Sequence, residues 1–86
     1  MEGFNAGQNV VVRELVQTVL DYDPTVDVDK NEQDWINPAD LLLNGERVTI
    51  TRHYETREGS DIWGIEFSTD GDVYTLWYTL QEGGDS

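Results

Sequence analysis

Three stretches of the chain alternate apolar with polar residues: 46–56, 62–69 and 72–80. Period-two alternation is the mark of a strand with one buried face. Asp70-Gly71 separates the second stretch from the third. This dipeptide favours the two-residue type I′ turn, whose central residues both need positive φ. The turn predicts a register in which Thr69 faces Asp72, Phe67 faces Tyr74, Ile65 faces Leu76 and Trp63 faces Tyr78. A slip of one residue would move that whole set to the wrong side, so pattern and turn support each other.

A loop at Arg57-Glu58-Gly59-Ser60 joins the first stretch to the second. It pairs Tyr54 with Trp63, Ile50 with Phe67 and Val48 with Thr69. One residue disagrees with this register. Arg52 falls opposite Ile65 on the apolar side, where its head stays wet only by snorkelling. The reverse face is mostly polar and carries the row His53–Gly64–Trp77. That row reads as a small binding spot or, preferably, as Trp77 covering the gap above a residue with no side chain.

Upstream, Asn5-Ala6-Gly7-Gln8 has the form of a capping box. Val12, Leu15, Val16 and Val19 follow at the spacing of one helical face. The pattern predicts a helix over 6–22, stopped by Pro24, then an acidic loop over 21–36 in which Thr25-Val26-Asp27-Val28 offers a short edge strand. Asn37 as cap, Pro38 at the first helical position, Asp40 in the first turn and Gly45 as terminator predict a short helix over 38–44. A competing reading takes Asn44-Gly45 as a hairpin turn and 40–43 as a strand. The expected fold is α+β: an N-terminal helix and a short second helix packed on one face of a three-stranded antiparallel β-meander. It forms one small acidic domain over 1–86 with a frayed tail at 81–86.

Composition changes the picture through charge. Eighteen Asp and Glu stand against five Lys and Arg, for a formal net charge of −13. A phosphate backbone needs clustered Lys and Arg, so direct binding to nucleic acid or to an anionic membrane is disfavoured. No apolar run approaches the roughly 20 residues of a membrane span, and no signal peptide is visible at the N-terminus. The expected setting is the cytoplasm, that of the host if the source is viral. There is no cysteine, hence no thiolate metal site and no disulfide framework. One histidine, His53, and three serines, Ser60, Ser68 and Ser86, sit in no nucleophile motif or phosphate loop. No catalytic residue, resident metal or cofactor is expected.

Some acids have ordinary structural work. Asp40 suits a helix N-terminus, Asp70 makes a turn, Glu58 and Asp61 flank a loop, and Asp23 can initiate a turn before Pro24. The rest of the cluster at Asp21, Asp23, Asp27, Asp29, Glu32 and Asp34 is opposed by Lys30 alone and exceeds any structural need. Three readings follow. Carboxylates two residues apart on an extended chain lie about 6.6 Å apart, a line of negative charge that a basic nucleic-acid-binding groove attracts. The short, cysteine-free, helix-plus-sheet chain is similar in general character to small acidic phage-type inhibitors, a similarity of class that rests on no motif. On this reading Asp21, Asp23, Asp27, Asp29, Glu32, Asp34, Trp35 and Asp40 meet a basic protein surface, with Trp35 as an apolar anchor, and the chain is a monomer or homodimer. The second reading is a small interaction or regulatory module adapted to high salt, where screening shortens to about 3 Å. It would use the sheet's reverse face. The third is a degenerate calcium loop. From Asp21 to Glu32, oxygen-bearing residues fall at the EF-hand positions, but Val26 replaces the glycine of the sharp turn.

Overall fold

The computed structural model describes residues 4–55 and 61–79. The elements run β1 (Asn9–Val11), α1 (Val12–Tyr22), β2 (Asp27–Lys30), β3 (Asp34–Ile36), a 3₁₀ helix (Pro38–Leu43), β4 (Arg47–Glu55), β5 (Ile62–Thr69) and β6 (Asp72–Thr79). They form one antiparallel six-stranded sheet in the order β1-β4-β5-β6-β2-β3. This corrects the expected three-stranded meander with two helices. The protein is mostly β, 49% strand and 24% helical, because three short strands extend the meander on both sides.

On one side, β1 pairs with β4, Val10 opposite Val48. The Asn5–Gln8 signal is therefore a turn and not a helix start. Gln8 N–H donates to the Asn5 carbonyl, and Asn5 N–H donates to the Gln8 side chain. Gly7 at φ 92° lets the chain swing back to the sheet, where its N–H donates to Ile50 O. The helix begins at Val12 instead of residue 6, since the valine run Val10–Val12 opens in the extended conformation that β-branched side chains favour.

On the other side, part of the expected acidic loop is the β2–β3 hairpin, and β2 pairs with β6. Its tight turn has positive φ at both Asn31 and Glu32, with Gln33 N–H donating to Lys30 O. Asn31 locks the turn to β6. Its side chain accepts from Val73 N–H and donates to Asp72, and Lys30 pairs with the same Asp72 at 3.8 Å.

The central hairpin has the expected register, with Asp70 and Gly71 at φ 56° and 83°. The 3₁₀ helix carries the expected cap, Asn37 accepting from Ala39 N–H at 2.9 Å. The β4–β5 pairing departs from expectation. Ile50 faces Phe67, but a β-bulge after Ile50 shifts every later residue by one. Arg52 thus faces Glu66, leaving the apolar side, and His53 faces Ile65 there. The loop Arg57-Glu58-Gly59-Ser60 and the tail 81–86 lie outside the described residues.

The core lies between the sheet and its helical layer. Val12, Leu15, Val16 and Val19 of α1, with Leu41 of the 3₁₀ helix, cluster with Val28, Val48, Ile50, Ile65, Phe67, Leu76 and Tyr78. Burial pushes the Tyr78 phenol up to about 12, and the neighbouring Tyr22 adds to the shift. His53 packs against Trp63 at 5.3 Å and lies 3.4 Å from the Tyr78 hydroxyl. It is thus separated from Ser68 by the sheet.

Candidate functional site

Strand parity assigns residues to the face opposite the helices. In sheet order, one row there is Tyr54, Gly64, Trp77 and Asp27, and the next is Arg52, Glu66, Thr75, Asp29 and Trp35. The expected row His53–Gly64–Trp77 therefore contains Tyr54 in place of His53, because of the bulge. Its structural reading holds in this form. Trp77 stacks on Tyr54 at 5.4 Å, and a Cβ on Gly64 would lie 2.7 Å from Trp77 Cζ3. The indole fills the space that glycine leaves.

The second row is electrostatic. Glu66 accepts from Thr51 Oγ1 at 2.6 Å and from the Tyr54 hydroxyl at 3.1 Å, and Arg52 Nε lies 3.9 Å away. Burial raises the Tyr54 pKa, and its hydrogen bond to the Glu66 carboxylate raises it further. Asp29 has one buried carboxylate oxygen with no hydrogen-bond partner. The Asp27 carboxylate forms no hydrogen bond or ion pair among the described residues. Trp35 is 68% exposed beside these acids.

At the end of the face where β6 stops lies an open groove of about 320 Å³. Asp27, Trp35, Ile62, Trp77 and Thr79 line it, with Asp23 at its inner edge. Asp23 is only 2% exposed. It accepts from Thr25 N–H, the Thr25 hydroxyl and Thr79 N–H at 2.6–2.9 Å. Burial alone would raise its pKa, but these hydrogen bonds outweigh burial and hold the carboxyl below its ordinary value. Asp23 ties the turn after α1 to the end of β6, and its oxygens are already engaged.

The acids singled out in the sequence therefore divide. Asp27, Asp29 and Trp35 come together on the open face. Asp21 lies in the last turn of α1, exposed, accepting from Gln17 Nε2 at 2.8 Å. Glu32 is exposed in the β2–β3 turn, and Asp40 is exposed in the 3₁₀ helix. Asp34 is paired with Lys30, so parity puts it on the helix side. Glu66, Trp77 and Tyr54 join the site through the sheet order, which local sequence does not reveal. The stretch Asp21–Glu32 is not one coordinating loop: it holds a helix end, a turn and a strand. Among the described residues no three His, Asp or Glu side chains are gathered to hold a metal ion, and no helix is long and apolar enough to cross a membrane. Comparison with protein-family models, curated proteins and solved structures returned no match.

Proposed function

We propose that the protein is a non-catalytic acidic binding protein that occupies a basic, nucleic-acid-binding surface of another protein. It would act in the cytoplasm as a nucleic-acid mimic against a host enzyme or defence complex, of the anti-restriction, anti-CRISPR or DNA-repair-inhibitor type. The observation that carries this reading is the placement of Asp27 and Asp29 on a strand of the open face, with exposed Trp35 beside them. Alternate residues of a strand project to one face about 6.6 Å apart, close to the spacing of successive phosphates along a nucleic-acid strand. A net charge of −13 steers such a surface to a cationic partner at a rate that falls with salt.

The test is affinity capture from host extract, followed by measurement with the purified partner. Wild-type protein is expected to bind a nucleic-acid-binding protein, with DNA or RNA competing and added salt weakening the complex. The variant D27N/D29N/E32Q/D34N is expected to lose capture. An unchanged affinity in that variant rejects mimicry. A second reading, a module adapted to high salt, draws on the sparse pairing of the acids: among the described residues the ion pairs are Lys30–Asp72 and Arg52–Glu66. It predicts a fold that melts at low ionic strength and tightens in molar salt.

A further inference from the structure

We infer that the groove between Trp35 and Trp77 is a receptor for an arginine side chain of the partner. The inference rests on the proposed binding role and assigns the contact within it. Three features converge. First, Asp27 stands in the groove as a carboxylate with no cation beside it among the described residues, since none of those that line the groove is Lys or Arg. Second, two indoles border that carboxylate, one of them fixed by its stack on Tyr54 and by Gly64 behind it. Third, Ile62, which is 46% exposed, and the Trp35 ring offer apolar surface to an aliphatic stem.

A guanidinium matches this set better than an ammonium. It is planar, stacks on an indole face, sheds water more readily, and forks two N–H groups to one carboxylate. A lysine would gain the charge term but neither the stacking nor the fork. A nucleobase would gain the stacking but would bring its phosphate against Asp27 and the overall negative charge. Asp23 serves the groove as a positioning residue, because its hydrogen bond to Thr79 N–H fixes the end of β6 that forms the groove's wall.

The probe is a capped Gly-Arg-Gly peptide, followed through the three tryptophan indole N–H signals by NMR at low salt. Trp63 lies on the helix side against His53 and serves as the internal control. Saturable shifts are expected at Trp35 and Trp77 with Trp63 unmoved. D27N should weaken the apparent Kd at least fivefold, and W35A should do the same when read at Trp77. The lysine peptide should bind several-fold more weakly, and the citrulline peptide, which keeps the shape and loses the charge, should produce no saturation. Unchanged spectra in D27N away from the groove would exclude misfolding as the cause. Equal response to arginine and citrulline, equal affinity in D27N, or shifts shared by Trp63 overturns the groove assignment. That result leaves the broader reading intact if the four-acid variant still loses its partner. Conversely, a groove that binds arginine in a protein whose partner ignores the four acids sustains this inference and rejects the mimicry.

Discussion

On the helix side of the sheet, Ile65, Phe67 and Leu76 are fully buried under α1 and the 3₁₀ helix. On the reverse side the same strands present Glu66 of β5 and Thr75 and Trp77 of β6, joined by Asp27 and Asp29 from β2. One face excludes water, and its side chains contribute by transfer and close packing. The other holds one aromatic pair, Tyr54 on Trp77, and sets Arg52, Glu66, Asp27 and Asp29 around it. The difference teaches that this small domain keeps stability and charge on separate surfaces. Asp27 stands on the open face as an exposed carboxylate, whereas Asp29 keeps one carboxylate oxygen buried, so the charge of this face is desolvated in part.

The largest effect should come from breaking the covered face. Phe67 is fully buried and stacked on Tyr74 at 5.7 Å. Phe67→Ala should cost about 3–5 kcal/mol, a large part of the roughly 5–15 kcal/mol that holds a typical domain. Urea denaturation reads this directly. If Trp35→Ala on the open face lowered the midpoint as much, the separation of roles would fail.

A middle-sized effect should appear where the faces meet, at Asp23. Asp23→Asn removes a charged acceptor from three hydrogen bonds and should cost about 1–3 kcal/mol at neutral pH. The pH dependence has a definite sign. The folded pKa lies below the ordinary value of 3.8, so the contribution is present above that value and is lost as pH falls through the folded pKa. The stability gap between wild type and variant should therefore be constant near neutrality and close below about pH 4. A gap equally wide at pH 3 and pH 7 would contradict the assignment.

How much of this was legible depended on whether the signal was local. The β5–β6 register was, because Asp70-Gly71 fixes it without help from distant residues. So were the α1 stripe and the Asn37–Pro38 cap. Three things were not. The bulge after Ile50 left one trace, the misfit of Arg52 opposite Ile65, and a charged residue on an apolar face can signal a register error as well as a snorkelling side chain. Strand β2, Asp27-Val28-Asp29-Lys30, showed only as the short edge strand offered at 25–28, because it carries one apolar side chain, and its pairing with β6, more than 40 residues away in sequence, left no local trace. The β2–β3 turn uses Asn-Glu where Asn-Gly would have announced positive φ. In the candidate site, the acidic segment was legible from composition and Trp77 from the alternation of its strand, whereas their meeting on one face entered only through the strand order.

The smallest effect isolates what orders the open face. Gly64→Ala places a Cβ 2.7 Å from Trp77 Cζ3 and 2.9 Å from Cε3. The ring cannot yield freely, because Tyr54 stacks on it. Overpacking typically costs about 1–3 kcal/mol, while replacing glycine returns about 0.4–1 kcal/mol through the unfolded chain. The net should be a loss of about 1 kcal/mol. In a Trp77→Ala background the obstacle is gone, and the same Gly64→Ala change should turn neutral or stabilising. Its sign should thus depend on the indole, a coupling that a double-mutant cycle measures by urea denaturation. Additive losses would mean that Trp77 does not rest on Gly64, and the open face would then lack the fixed aromatic wall on which the arginine groove depends.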